Sequence, residues 1–253
     1  MNAEAKWPRY SLQLKTRSEV AERTLEFRFD KPAGMAFKAG QFMDLTLIDP
    51  PETDAEGNTR GFSINSAPDD RELIFTTRLR DTAFKRVLKS MPLGTAIKVE
   101  GPFGNLTLHN DASRPAVLLA GGIGITPFRS MVRRAAHEKL PHRILLFYSN
   151  RRPEDAPFLD ELSGLARENP KFTFVPTMDR MKDSHRPWKG ETGSIDHPLI
   201  VRHLKSGTAQ EKQPVRAIYY IAGPPAMVAG LRTMLNKAGI DDDDIRTEEF
   251  TGY

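Results

Sequence analysis

The chain has 253 residues, of which 39% are hydrophobic and 28% are charged, and its formal net charge is +4. This length suits two domains with separate cores, and the composition is typical of a soluble globular protein. No apolar run approaches the roughly 18 residues that span a bilayer. No apolar segment near Met1 resembles a signal peptide. We therefore expect a cytoplasmic protein without a membrane span.

The sequence contains no cysteine. This excludes disulfides, zinc sites built from thiolates, and iron–sulfur clusters held by cysteine. Redox chemistry in this chain would therefore need an organic cofactor. The six histidines show no metal-binding spacing, and the basic residues are scattered rather than clustered as in nucleic-acid-binding proteins. We predict neither a metal site nor a nucleic-acid partner.

Short β-rich segments separated by glycine and proline fill the first hundred residues. They are Tyr10–Lys15, Thr24–Phe29, Gln41–Leu47, Gly61–Ser66, Leu73–Arg78 and Ala96–Glu100. This spacing is typical of a small antiparallel β-barrel. One short helix, Ala83–Ser90, is predicted at the end of the barrel. The first predicted domain is residues 1–111.

Apolar strands alternate with helical segments in the second predicted domain, residues 112–253. The strands are Ala116–Ala120, Ile144–Tyr148, Thr173–Pro176 and Ala217–Ala222, and the helices are Phe128–His137, Phe158–Arg167 and Ala226–Ala238. Strands that are apolar on both faces and alternate with helices indicate a doubly wound parallel sheet. The polar segments Arg180–Trp188 and Lys205–Pro214 are predicted to be surface loops.

A glycine-rich turn follows the first strand of this second domain. Gly121, Gly122 and Gly124 stand between the strand and the helix, and Thr126 and Pro127 open the helix. Glycines let a phosphate approach the backbone, and a helix N-terminus offers free amides and a partial positive charge. A tight turn without a ligand would also use glycines. The location favours a nucleotide site, because open α/β sheets bind ligands there.

The next strand ends at Ser149, Arg151 and Arg152, with no carboxylate at its tip for the ribose 2′-hydroxyl of NAD. Arginines could hold a 2′-phosphate through bidentate hydrogen bonds, which favours NADP over NAD. The alternative is a solvated loop in which the arginines pair with Glu154 and Asp155.

Four motifs occur in a fixed order along the chain. They are Arg60-Gly61-Phe62-Ser63, Gly101–Gly104, the turn that ends at Pro127, and Gly223-Pro224-Pro225-Ala226-Met227. In this order they resemble the ferredoxin–NADP reductase family, in a stand-alone two-domain form without an iron–sulfur domain. The resemblance implies an FAD-binding barrel and an NAD(P)-binding α/β domain. It also implies hydride transfer from NAD(P)H to FAD and electron release to ferredoxin, flavodoxin or another redox protein.

The same resemblance assigns roles to the barrel motif. Arg60 would pair with the FAD pyrophosphate, Phe62 would pack on the isoalloxazine, and Ser63 would hydrogen-bond near flavin N5 in a catalytic role. Taken alone, Arg60 would be read as a surface ion pair and Phe62 as a core aromatic residue.

A second barrel segment, Thr76-Thr77-Arg78, is expected beside the flavin. A helix start that includes Phe84 and Lys85 is expected at the pyrophosphate. The family often has glycines and a serine at this helix start, and this chain departs from that pattern.

The nicotinamide side is assigned to the last motif and to the chain terminus. Ala222 stands where many relatives carry cysteine, and Gly223, Pro224, Pro225 and Met227 are expected beside the cofactor. Phe250 or Tyr253 would cover the flavin, and Glu249 would be a catalytic polar neighbour. A frayed tail is the alternative.

Three other functions fit parts of these motifs. They are a flavin or ferric reductase with a small-molecule acceptor, a non-catalytic flavin-binding relay subunit, and a nicotinamide dehydrogenase without flavin, which would leave the barrel motif unexplained. The choice between FAD and FMN stays open, and a monomer is favoured.

Overall fold

The computed structural model describes residues 7–205 and 216–251. Their strands form two six-stranded sheets. The elements of the first part are β1 (Arg9–Ala21), β2 (Thr24–Asp30), β3 (Phe42–Leu47), β4 (Thr59–Ser63), β5 (Glu72–Arg78), α1 (Ala83–Ser90) and β6 (Ala96–Phe103). The predicted helix at the end of the barrel is therefore present with the predicted bounds.

The first sheet has the strand order β4-β3-β6-β1-β2-β5, and all its ladders are antiparallel. Residues alternate between its two faces, as strand geometry requires. In β3, for example, Met43, Leu45 and Leu47 are buried, whereas the residues between them are only partly buried. The core of this sheet also takes in Phe84 and Leu88 of α1.

The two edge strands of this sheet approach each other without forming a ladder among the described residues. The N–H of Asn65, just beyond β4, donates to the carbonyl of Ile74 in β5 over 3.0 Å. The rings of Phe62 and Phe75 also meet across this gap, with centroids 6.4 Å apart. The predicted barrel is thus a curled antiparallel sheet whose edges meet through a few hydrogen bonds of Asn65 and Ser66 with β5 rather than through a ladder.

The second sheet is parallel and has the order β10-β9-β8-β7-β11-β12. Its elements are β7 (Ala116–Gly121), α2 (Ile125–His137), β8 (Ile144–Asn150), α3 (Leu159–Glu168), β9 (Phe172–Met178), β10 (Glu191–Thr192), α4 (His197–Lys205), β11 (Ile218–Gly223), α5 (Pro225–Lys237) and β12 (Ile245–Glu249). α2 and α3 pack on one face and α4 and α5 on the other. The predicted doubly wound fold is confirmed.

Three elements of this second part of the chain were not predicted: β10, α4 and β12. The segment Arg180–Trp188 contains only a short 3-10 turn, and most of the predicted loop Lys205–Pro214 lies outside the described residues. None of the helices in the described ranges combines the length and the apolar character needed to span a bilayer.

The two sheets are joined by hydrogen bonds from α2 to the turn after β4. Arg129, which is 4% exposed, donates to the carbonyl of Asn65 over 3.2 Å. The hydroxyl of Ser130 donates to the carbonyl of Ser66 over 2.6 Å. These buried bonds fix the helix that follows the glycine turn against the first sheet, and so fix the width of the cleft between the sheets. The domain boundary at residue 111 stays a prediction.

Candidate functional site

A cavity of about 760 Å³ lies between the two sheets, at the carboxyl ends of β7, β8, β9 and β11. This is the edge at which open α/β sheets bind ligands, and the volume is that of a cofactor pocket. The lining residues come from both parts of the chain: Glu22, Arg23, Arg78, Leu79, Arg80, Gly121, Gly122, Ile123, Ser149, Asn150, Arg151, Arg152, Asp155, Asp179, Arg180, Asp183, Pro224, Met227 and Phe250.

The glycine turn contributes two of its three glycines to this cavity. Gly122 has a φ of +52°, and no atom lies within 4 Å of where its Cβ would be, so its backbone is open to a ligand. Gly121 packs closely: a Cβ there would overlap the sulfur of Met227 and lie 3.1 Å from Cδ of Pro224. The turn is therefore both a tight packing contact and an accessible stretch of backbone.

The rest of the turn faces the protein interior. Gly124 lies against the backbone at Ala222, and Thr126 is 2% exposed with its hydroxyl donating to the carbonyl of Ile123 over 3.0 Å. Pro127 is buried in the first turn of α2. The structure places these three predicted nucleotide contacts behind the cavity wall, where they shape the turn.

The motif after β11 lines the cavity through Pro224 and Met227. Pro225 is exposed at the start of α5, and a Cβ on Gly223 would lie 3.2 Å from the backbone of Gly121. The ends of β7 and β11 therefore touch, and this leaves only the outer residues of the motif to meet a ligand.

The two predicted phosphate-binding arginines have different surroundings. Arg152 forms ion pairs with Glu22 at 2.6 Å and with Asp155 at 2.9 Å. Arg151 is exposed in the cavity wall, with no side-chain partner among the described residues. Arg152 therefore pairs with an acidic residue of its own loop, as the alternative interpretation expected, although the partner is Asp155 and not Glu154. Arg151 is the arginine available to a ligand.

Sequence reasoning missed several polar residues of the cavity. Arg180 and Asp179 follow β9, where the sequence predicted only a loop, and the N–H of Arg180 donates to the carbonyl of Arg151 over 2.8 Å. Asn150 is buried, and neither polar atom of its amide has a partner among the described residues. A polar amide at the end of an apolar strand was the signal that could have identified Asn150.

The hydroxyl of Ser63 is the clearest polar feature near β4. Ser63 is 5% exposed, and its Oγ has no hydrogen-bond partner among the described residues. A buried hydroxyl without a partner is costly. A bound molecule that hydrogen-bonds this oxygen would remove that cost.

The neighbouring predicted residues are more enclosed than expected. Phe62 and Phe84 are 6% and 1% exposed, and their rings pack on each other with centroids 5.8 Å apart. Thr77 is fully buried, and Thr76 accepts a hydrogen bond from the amide of Asn65 over 2.6 Å. These side chains belong to the core of the first sheet, which is the alternative weighed for Phe62.

Arg60 is held by acidic and carbonyl groups of the loop between β3 and β4. Its Nη2 lies 3.0 Å from a carboxylate oxygen of Asp54 and 3.0 Å from one of Glu56. Its Nη1 donates to the backbone carbonyls of Glu56, Gly57 and Thr59. The predicted contact with a pyrophosphate stays a prediction, and it requires Asp54 to leave.

Lys85 and Arg78 connect α1 with the cavity. The ammonium of Lys85 donates to the carbonyl of Arg78 over 2.9 Å, and burial together with the charges of Arg80 and Arg60 lowers the pKa of Lys85 to about 8. The guanidinium of Arg78 donates across the cleft to the carbonyl of Asp155 over 2.6 Å. Arg78 therefore lines the cavity and also joins its two walls.

The described end of the chain reaches the cavity. Phe250 lines it, and its N–H donates to the carbonyl of Gly223 over 3.0 Å. Glu249 is exposed, whereas burial raises the pKa of the adjacent Glu248 to about 7. The half-buried carboxyl at this end is therefore that of Glu248, and the catalytic role of Glu249 stays a prediction. Tyr253 lies outside the described residues.

These residues fit a nicotinamide nucleotide and a flavin to different degrees. The open backbone at Gly122 and the exposed Arg151 suit a phosphorylated nucleotide. The unpartnered hydroxyl of Ser63 suits a polar edge of a flavin. Arg60 and the backbone N–H of Ala83 at the start of α1 are donors that suit a pyrophosphate, and we call them the pyrophosphate cradle. Both already donate hydrogen bonds to Asp54.

Residues 118–233 match the model of the oxidoreductase NAD-binding domain. Among solved structures, the cytochrome P450 reductase of Amycolatopsis aligns with 98% of this chain and 72% of its own, at a TM-score of 0.78 and 23% identity. A ferredoxin–NADP reductase from Neisseria gonorrhoeae, solved with FAD and NADP, aligns with 97% and 99%, at a TM-score of 0.76 and 23% identity. The chain has the fold of the ferredoxin–NADP reductases. The predicted resemblance is confirmed for the fold, and residues 118–233 match an oxidoreductase domain as predicted.

Two sequence relatives are reductases of oxygenase systems. The reductase component of phenol 2-monooxygenase from Pseudomonas sp. strain CF600 is 27% identical over 229 residues, which are 89% of this chain and 60% of that protein. The reductase subunit of glycine betaine monooxygenase from Chromohalobacter salexigens is 26% identical over 231 residues, which are 90% and 60% of the two chains. This chain therefore spans about three fifths of the length of these relatives.

Proposed function

We propose that the chain is a flavoprotein reductase that takes hydride from NAD(P)H, passes it to bound FAD and releases the electrons to a separate acceptor. The observation that carries this proposal is the cavity between the two sheets, in which Gly121, Gly122 and Phe250 share one wall. A nucleotide bound at the glycine turn would extend toward Phe250. The two sequence relatives, the reductases of the phenol and glycine betaine monooxygenases, support the same reaction class.

The nucleotide side of the reaction needs binding and alignment rather than an acid–base pair. The backbone at Gly122 would receive a phosphate, and Arg151, with Arg180 beside it, would receive a 2′-phosphate. Phe250 would cover the flavin until the nicotinamide displaces it. Ala222 is fully buried at the end of β11 and is not a lining residue of the cavity, so Pro224 and Met227 would be the neighbours of the nicotinamide ring.

The flavin side depends on Ser63 and its surroundings. When bound, FAD supplies the atom that accepts hydride and the capacity to release electrons singly. The hydroxyl of Ser63 would donate a hydrogen bond to the flavin, and the aromatic core around Phe62 would exclude water from that side. Arg60, once released by Asp54, would neutralise phosphate charge.

The acceptor is proposed to be a redox protein. Both sequence relatives are named as reductase components or subunits of monooxygenases, which implies that another component receives the electrons. Because these 253 residues contain no cysteine, they hold no iron–sulfur cluster with cysteine ligands.

A reconstitution experiment tests this function. The purified chain is incubated with FAD, desalted, and reduced anaerobically with NADPH or NADH while flavin absorbance is recorded. We expect retained flavin absorbance that either nucleotide bleaches. Retained flavin without bleaching would support a relay subunit instead, and failure to bind FAD would refute the flavoprotein assignment.

A further inference from the structure

The side chain of Asp54 occupies both halves of the proposed pyrophosphate cradle. One carboxylate oxygen lies 3.0 Å from Nη2 of Arg60. The other accepts the backbone N–H of Ala83, the first residue of α1, over 3.2 Å. A guanidinium and a helix N-terminal amide are the donors that a phosphate group would take. One carboxylate therefore makes the contacts of a cofactor phosphate.

The loop that carries Asp54 is attached to α1 at a second point. We call residues 48–58, between β3 and β4, the acidic loop. Its Glu52 accepts a hydrogen bond from Nε of Arg86 in α1 over 2.9 Å. Glu56 adds a second carboxylate to Arg60 at 3.0 Å. The acidic loop thus covers the start of α1 and neutralises the cation beside it.

Two further amides at the start of α1, those of Lys85 and Arg86, are also engaged within the chain. The side chain of Thr82 accepts from the N–H of Lys85 over 3.4 Å, and its carbonyl accepts from the N–H of Arg86 over 3.0 Å. Ala83 thus offers a ligand an amide only when Asp54 moves. The side chains of Asp54 and Arg60 keep 32% and 20% of their surface exposed, so solvent and ligands can reach the pair.

We propose that Asp54 determines the flavin selectivity of the chain by occupying the position of the cofactor phosphate. This inference rests on the proposed function. Phosphorylated flavins bind only by displacing the Asp54 carboxylate from Arg60 and Ala83, whereas riboflavin, which has no phosphate, binds without moving it. The acidic loop therefore lowers the affinity for FAD and leaves the affinity for riboflavin unchanged.

The cost to FAD comes from exchanging one anion for another at the same donors. Two phosphate-type hydrogen bonds replace two carboxylate hydrogen bonds, so the cradle contributes little net affinity to FAD. The displaced carboxylate of Asp54 also stays close to the incoming phosphate charge, as does that of Glu56. Removing the Asp54 carboxylate frees the amide of Ala83, leaves Glu56 as the remaining carboxylate on Arg60, and removes one of the two repelling charges.

Equilibrium titrations of the full chain test the inference. The dissociation constants of FAD and riboflavin are measured by flavin fluorescence for the parent chain, Asp54→Ala and Glu52→Ala. Glu52 is the matched control, since it lies in the same loop but contacts Arg86 outside the cradle. We expect Asp54→Ala to bind FAD about tenfold more tightly, the effect of one charge-assisted hydrogen bond, with riboflavin affinity unchanged. Glu52→Ala should leave both affinities near those of the parent.

Hydrogen exchange gives a readout that does not depend on activity. Amides in the acidic loop should exchange faster when FAD is added and should not respond to riboflavin. If Asp54→Ala does not fold, the same measurements are made on Asp54→Asn, which keeps the shape of the side chain and removes its charge.

Unchanged or weaker FAD binding in both Asp54 variants, or an equal gain for riboflavin, would overturn the selectivity inference while the flavoprotein assignment stands. If neither flavin binds the parent or any variant, the proposed function fails, and the inference fails with it.

Discussion

Gly124 packs directly against the backbone of Ala222, so that a Cβ on Gly124 would lie 2.5 Å from the carbonyl carbon of Ala222. Neither backbone segment can move easily, because β7 and β11 are neighbouring strands of one ladder. This contact requires glycine at the last turn position for steric reasons. Gly122, by contrast, has open space on its Cβ side.

Gly124→Ala should therefore destabilise the chain, because the added methyl group must push the turn after β7 away from the end of β11. Overpacking of this kind costs about 1–3 kcal/mol, and occasionally more. Chemical denaturation measures the change. Gly230→Ala in α5 is the matched control, since nothing lies within 4 Å of its Cβ position, and alanine should stabilise this helix by about 0.5–1 kcal/mol. Equal stability of the two variants would contradict the steric explanation.

Arg151→Ala should weaken the use of NADPH selectively. A charge-assisted hydrogen bond contributes about 1.5–3 kcal/mol, so the ratio of kcat/KM for NADPH over NADH should fall about tenfold to a hundredfold. Steady-state kinetics with ferricyanide as acceptor measure this ratio. Arg167→Ala, an exposed change in α3, should leave the ratio unchanged.

Arg152→Ala should behave differently from Arg151→Ala. Arg152 joins Glu22 in the first part of the chain to Asp155 in the second, so its loss should loosen the cleft and impair both nucleotides to a similar extent. The same kinetic assay distinguishes the two arginines. A selective loss of NADPH use in Arg152→Ala would instead show that Arg152 binds the 2′-phosphate.

Arg129→Met should lower the free energy of unfolding by about 3 kcal/mol. Arg129 is 4% exposed and forms ion pairs with Glu161 at 2.9 Å and with the buried Glu26 at 3.5 Å. Removing one partner from a buried ion pair typically costs about 3–5 kcal/mol, and Glu26 keeps a second partner in Arg28.

Arg134→Met is the matched control for Arg129→Met. Arg134 lies on the same helix and, within residues 7–205 and 216–251, its one ion pair is with Glu138 on the outer surface, so its loss should cost less than about 1 kcal/mol. Urea denaturation followed by fluorescence measures both. A similar loss in the two variants would show that the buried pairing does not hold the sheets together.

The order of strands and helices could be predicted because local patterns encode it. The helix Ala83–Ser90 was predicted with its observed bounds, since an N-cap threonine and apolar spacing mark it. β12 was missed because its sequence is polar. It is an edge strand that pairs through its backbone with β11, and backbone pairing leaves little trace in composition.

The candidate site could be predicted only in part. The glycine turn and Arg151 follow from their position after apolar strands. The engagement of Arg60 by Asp54 and of Arg152 by Glu22 could not be predicted, because these pairs depend on how distant loops meet in the fold. The partial burial of Glu248 could not be predicted either, because the pleat of β12 decides which of two adjacent glutamates turns toward the protein.

Glu248→Gln should make the chain more stable at alkaline pH. Burial raises the pKa of Glu248 to about 7, above the ordinary value of 4.5 for a glutamate side chain. Between these values the folded chain keeps a proton that the unfolded chain releases, so stability falls as pH rises from about 4.5 to 7. At pH 8 the variant should exceed the parent by up to about 3 kcal/mol, and near pH 4.5 the two should be equal. Urea denaturation at both pH values measures the difference. Glu249→Gln, an exposed change on the same strand, should show no such dependence, and parallel pH profiles for Glu248→Gln and the parent would show that Glu248 ionises normally.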